Sequence, residues 1–140
     1  MARLIDSSLW VDFTRRRSPA SLKALILPWI LDPTAALCAP VCFEVLRHAT
    51  AAERGPIEQQ FATLPDLSVP KNLWHDATRL GQACRDRGFT VGSVDLLIAS
   101  IALHHGAEVV TFDTDFTDIA EVVPLRVMLL FRPGAGSEAR

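Results

Sequence analysis

Short apolar runs alternate along this chain with longer stretches whose apolar positions recur at helical spacing. ARLID is brief, apolar and closed by Asp6, a pattern suited to a buried parallel strand. SSLWVDF follows, with Ser7 or Ser8 as a cap and Leu9, Trp10 and Phe13 on a helical stripe. SPASLKALILPWIL predicts a second helix, opened by Ser18-Pro19 and disturbed by Pro28. After a turn at Asp32-Pro33, AALCAP predicts a strand, and Pro40 opens a helix toward Thr50. GPIEQQFATL predicts another helix, ended near Pro65-Asp66, and LSVP a short strand or extended link. In KNLWHDATRLGQACRDRG, Leu73, Ala77, Leu80, Ala83 and Cys84 mark an amphipathic helix that Gly88 stops. Ser93 is the candidate cap of VDLLIASIALHHG, which Gly106 ends. AEVVTF is the clearest strand, DTDFTDIAE a turn with a short helix, LRVMLLF a last strand, and PGAGSEAR a polar tail.

Strands alternating with helices predict an α/β domain around a mainly parallel sheet. The 140 residues suit one domain, and an apolar share of 49% is enough for a core without disulfide or metal staples. A formal net charge of −2 argues against a broad electrostatic grip on nucleic acid and leaves room for a local basic patch. Cys38, Cys42 and Cys84 sit in mostly apolar surroundings, which predicts reduced, packed thiols and a cytoplasmic home. Cys38, Cys42 and His48 offer only a loose zinc spacing, without tight ligand pairs. MARLIDSSLW lacks the apolar run of a signal peptide, and no apolar stretch reaches the length of a membrane span.

Four acids stand out against this apolar background: Asp6, Glu44, Asp95 and Asp113. Each has a structural explanation of its own. Asp6 suits a turn or helix cap, Glu44 an exposed helix face, Asp95 the favourable end of a helix dipole, and Asp113 a turn. Asp95, however, heads a helix apolar on most sides, where a lone acid needs a partner. In an open parallel sheet, strand ends and the starts of the following helices share one edge. That topology brings all four acids to a single rim. Clustered carboxylates repel one another unless a cation is present, and Mg²⁺ or Mn²⁺ with oxygen ligands suits phosphodiester hydrolysis.

LIDSS, then FEVLRH, then GSVDLLIASIALHHGAEVVTFDTDF resembles the PIN-domain ribonucleases, in particular the VapC toxins of toxin–antitoxin pairs. The resemblance runs from Arg3 to about Leu130, and its most specific part is the segment from Asp95 to Asp113. It implies a three-layer α/β/α sandwich, with residues 1–132 as the PIN domain and 133–140 as a flexible tail. It implies an endoribonuclease in which Asp6, Glu44, Asp95 and Asp113 form an acidic quartet acting with Mg²⁺- or Mn²⁺-activated water. Asp6, Asp95 and Asp113 are the expected metal ligands. Ser8 and Thr111 support them, and Asp115 shares or takes over the fourth role. An RNA substrate, a cognate antitoxin and a homodimer are the implied partners, with no membrane and no direct specific DNA binding.

Other readings start from the same residues. VVTFDTDFT resembles the opening motif of haloacid-dehalogenase phosphatases, but only 25 residues follow Asp115. A phosphorylation receiver needs a lysine on a late strand, and the lysines here are Lys23 and Lys71. A PIN-fold RNA-binding or RNA-processing module outside a toxin pair is the remaining alternative. Arg15, Arg16 and Arg17 suit either RNA phosphates or a solvated charge run, with the latter favoured, and Lys71, Arg85 and Arg87 stand likewise. Trp10, Trp29 and Trp74 suit core packing more than base stacking.

Overall fold

Apolar strands that are buried on both faces dictate the architecture. A computed structural model describes residues 1–134. The chain runs β1 (Arg3–Ile5), α1 (Ser7–Thr14), α2 (Ala20–Leu31), β2 (Ala35–Cys38), α3 (Ala39–His48) and α4 (Ala51–Phe61). It continues with β3 (Asp66–Leu67), α5 (Leu73–Asp86), α6 (Ser93–His105), β4 (Glu108–Thr111), α7 (Asp115–Val122) and β5 (Arg126–Leu129). The five strands form one parallel sheet in the order β3-β2-β1-β4-β5, flanked by helices in the expected three-layer arrangement. Leu4, Ile5, Leu37, Val109 and Val110 of the central strands are essentially solvent-free, as a doubly covered sheet demands.

The strand order carries the functional geometry. From β1 the chain builds outward to β2 and β3, and later crosses back to add β4 and β5 on the other side. The order therefore reverses between β1 and β4, and a crevice opens beyond their carboxyl ends. Asp6 directly follows β1, and Asp113 follows β4 by two residues.

Local chemistry sets the helix boundaries. Asp6 accepts a hydrogen bond from the Ser8 amide and so caps α1 itself, ahead of the serines expected in that role. α2 continues through Pro28 for three further residues, past the expected disturbance. α4 begins at Ala51 rather than Gly55, because Thr50 and Glu53 make a capping box that anchors the extra turn. α6 is capped by Gly92, and Ser93 is its first helical residue with no capping bond. Its far end closes at Gly106 in the left-handed region, φ 63°, where glycine carries no steric cost. The expected link LSVP contributes only Leu67 to β3.

Trp10 packs at the centre against Phe61, edge to face at 4.9 Å, as core packing predicts. Trp74 is 73% exposed and corrects the same expectation for that residue, since it projects from the solvent side of α5. Cys38, Cys42 and Cys84 are free thiols, with Cys42 only partly buried. They form no group with His48 that could hold a metal, among the described residues. No helix among those residues is long and apolar enough to cross a membrane. Of the expected tail, Pro133 and Gly134 lie in a turn, and 135–140 fall outside the described residues.

Candidate active site

The crevice beyond β1 and β4 is a cleft of about 360 Å³, lined by Asp6, Glu44, Asp95 and Asp113 together. Asp6 comes from the end of β1, Glu44 from α3, Asp95 from the first turn of α6, and Asp113 from the loop after β4.

Asp6 is the most confined of the four, at 2% exposure. Its Oδ2 accepts hydrogen bonds from Ser8 Oγ and Thr111 Oγ1, both at 2.8 Å. Each hydroxyl then accepts in turn from the chain after β4: Ser8 Oγ from the Phe112 amide at 3.1 Å, Thr111 Oγ1 from the Asp113 amide at 2.8 Å. Two hydroxyl relays therefore stitch the end of β1 to the loop that presents Asp113. Burial raises the Asp6 carboxyl above its ordinary value, against the opposing pull of Ser8 and Thr111.

Asp95, Asp113 and Asp115 behave differently. A carboxylate oxygen from each lies within 4.8 Å of the other two. The Asp115 amide donates to Asp113 Oδ1 at 2.9 Å, which folds the Asp-Thr-Asp segment so that both its acids meet Asp95. Burial, then the charges of Asp6 and Asp113, push Asp95 up to about 8. Asp115 is also raised, by burial and then by Asp113. Three half-buried carboxylates at this separation form a hard-oxygen donor set, and a divalent cation of the Mg²⁺ class fits it. Asp6 lies outside this tight group, which unites two of the expected metal ligands, Asp95 and Asp113, with Asp115.

Glu44 is partly buried at the cleft wall, bridged to Arg47 at 3.4 Å, with His48 Nε2 3.8 Å from the same oxygen, an ion pair only when that ring is protonated. Arg132 is a residue that sequence reasoning missed. It lines the same cleft, its Nε donates to Asp12 Oδ2 at 2.7 Å, and its guanidinium lies 4.6 Å from the Phe112 ring centre. Asp12 is buried, so it holds the guanidinium firmly among the acids. The partners are 120 positions apart, a pairing that no local pattern reveals.

Known proteins resemble this chain in sequence and in fold. Residues 3–122 match the PIN domain model. A Mycobacterium bovis protein named VapC ribonuclease Mb1587 is 34% identical over 129 residues, covering 88% of this chain and 95% of its own. Ribonuclease VapC11 of Mycobacterium tuberculosis matches to the same extent. Among solved structures, VapBC2 from Rickettsia felis bound to a promoter DNA fragment superposes with a TM-score of 0.72 at 17% identity, covering 93% of this chain and 99% of that one. Mycobacterium tuberculosis VapC20, described as a sarcin–ricin-loop-cleaving toxin, gives 0.67 at 17% identity, covering 89% and 99%.

Proposed function

This chain belongs to the PIN-domain family, and we propose that it is an endoribonuclease of the VapC type, the toxin of a toxin–antitoxin pair. The observation that carries this reading is the group of Asp95, Asp113 and Asp115, with oxygens within 4.8 Å of one another, beside a cleft that Asp6, Glu44, Asp95 and Asp113 line. Relatives 34% identical over most of the chain carry ribonuclease names, which supports RNA as the substrate class.

Asp95, Asp113 and Asp115 would hold Mg²⁺ or Mn²⁺. A bound ion of this class offsets charge on a phosphodiester and lowers the pKa of water. Asp6 anchors the loop carrying Asp113 through the Thr111 hydroxyl and so keeps the donor set in register. Glu44, held by Arg47, orients the attacking water from the α3 wall. Arg132 faces the same space and steadies the phosphate. A cognate antitoxin, supported by neighbours solved as VapBC complexes, completes the proposal, and a homodimeric assembly is added to it from the family resemblance alone.

The test is cleavage of a defined RNA panel with and without Mg²⁺, using wild type, Asp95→Asn and Asp113→Asn. Metal-dependent cleavage by wild type and its loss in both variants is the expected result. Full activity in both variants would overturn the site assignment.

A further inference from the structure

A second, larger cleft of about 810 Å³ adjoins the acidic one, and Arg15 and His48 line both. The larger cleft is walled by the loop Arg15–Arg16–Arg17 on one side and by the start of α4 on the other. Its floor carries Phe13 and Ile57. The arginines of this loop are exposed. Arg3, Arg47 and Arg132 are held by carboxylates. Arg15, Arg16 and Arg17, by contrast, make no side-chain hydrogen bond or ion pair among the described residues. Glu53 also lines this cleft; its carboxylate accepts from the Thr50 amide at 2.8 Å as part of the α4 cap, and it feels the charges of Arg16 and Arg15 without forming an ion pair with either.

We propose that this basic cleft is the track for single-stranded RNA leaving the acidic site, with Arg16 and Arg17 holding backbone phosphates and Arg15 and His48 at the junction. The proposal rests on the ribonuclease reading. An RNA strand whose scissile phosphate lies among four acids must lead its next phosphates out of a repulsive field. The adjoining cleft is the exit on which unpaired guanidiniums stand, and phosphate is the natural partner of an unpaired guanidinium. The half-buried Phe13 ring on the floor offers a face for a base to stack. Three adjacent cations match a strand with a charge at every nucleotide better than they match a peptide.

The test measures binding of fluorescent RNAs of about 4 and about 16 nucleotides to full-length Asp95→Asn protein with Mg²⁺ present, across a salt series. Adding Arg16→Ala with Arg17→Ala should weaken the longer RNA about tenfold and lower its salt slope by about 1.4, near 0.7 for each lost phosphate contact. The shorter RNA should weaken less than the longer one. Thermal melting of the variant monitors the fold, and these exposed side chains are not expected to move it. Unchanged affinity for the longer RNA would overturn the proposal. The same result with lost binding to a poly-glutamate peptide would overturn it in favour of a protein-binding groove. Wild-type cleavage of the RNA panel separates the two readings. Cleavage with Arg-independent affinity defeats the track alone, and lost affinity without cleavage defeats the nuclease while the track stands.

Discussion

Two corners of one cleft use the same residue type to opposite ends. At the β1 corner, Asp6 is buried and answered by Ser8 and Thr111, so its carboxylate works as a structural clasp between β1 and the loop after β4. At the α6 corner, Asp95, Asp113 and Asp115 crowd together with no cationic side chain paired to them among the described residues. The first corner is hydrogen-bonded, although the charge of Asp6 still pushes Asp95 up. The second holds electrostatic repulsion that a divalent cation would relieve. A shared cleft therefore does not imply a shared role, and the difference lies in which hydrogen-bond donors each acid meets.

The sharpest way to break this contrast is Asp95→Asn. It removes one oxygen donor and one of three mutually repelling charges. RNA cleavage should fall about a thousandfold or more, measured under single-turnover conditions with Mg²⁺. The metal-free variant should melt no lower than wild type at pH 8. A clear loss of stability there would mean that Asp95 is a structural acid like Asp6.

Asp6→Ala tests the opposite corner. It strands the Ser8 and Thr111 hydroxyls and removes the α1 cap, at a cost of about 2–4 kcal/mol in urea unfolding. Asp6→Asn keeps an acceptor for both hydroxyls and should recover most of that stability. Equal losses in the two variants would show that the charge itself, rather than the acceptor, holds the clasp.

The pH dependence of the metal-free protein follows from Asp95. Its carboxyl titrates near 8 when folded and near 3.8 when unfolded, so between these values the native state holds a proton that the unfolded chain has released. This contribution is fully present below about 3.8 and is lost as pH rises through about 8. Melting temperature should therefore decline across that window in wild type and decline less in Asp95→Asn. Mg²⁺ affinity should rise over the same range, because the ion displaces that proton. Parallel pH profiles for the two proteins would remove the assignment.

The smallest expected change is Thr111→Val. It keeps the shape but removes one donor to Asp6 and one acceptor for the Asp113 amide, costing about 1–2 kcal/mol. Cleavage should fall more than binding does, since the loop carrying Asp113 loses its tether to β1. An unchanged cleavage rate would show that the loop holds its geometry without this relay.

Much of this was legible from sequence. Strand and helix periods follow from burial on one or two faces, so the order of the elements was readable from apolar spacing alone. The meeting of Asp6, Glu44, Asp95 and Asp113 followed from parallel topology, because strand ends and helix starts share an edge. Boundaries were harder. The Thr50–Glu53 capping box lengthened α4, and Gly92 displaced Ser93 as the cap of α6. Trp74 carries an apolar side chain, yet it falls on the solvent stripe of a helix whose core stripe is Leu73, Ala77, Leu80 and Cys84.

The sequence by itself determined that acids would gather where β1 and β4 end, because local periodicity and parallel topology need no knowledge of side-chain contacts. Tertiary structure alone decided which acids meet hydrogen-bond donors and which crowd against one another. That depends on hydroxyls and backbone amides brought together across more than 100 positions, as between Asp6 and Thr111. It also decided that Arg132 enters the cleft from the far end of the chain, and that Arg15, just after α1, borders the acids. Electrostatic roles are set by distance in space, which the order of residues along the chain does not encode locally.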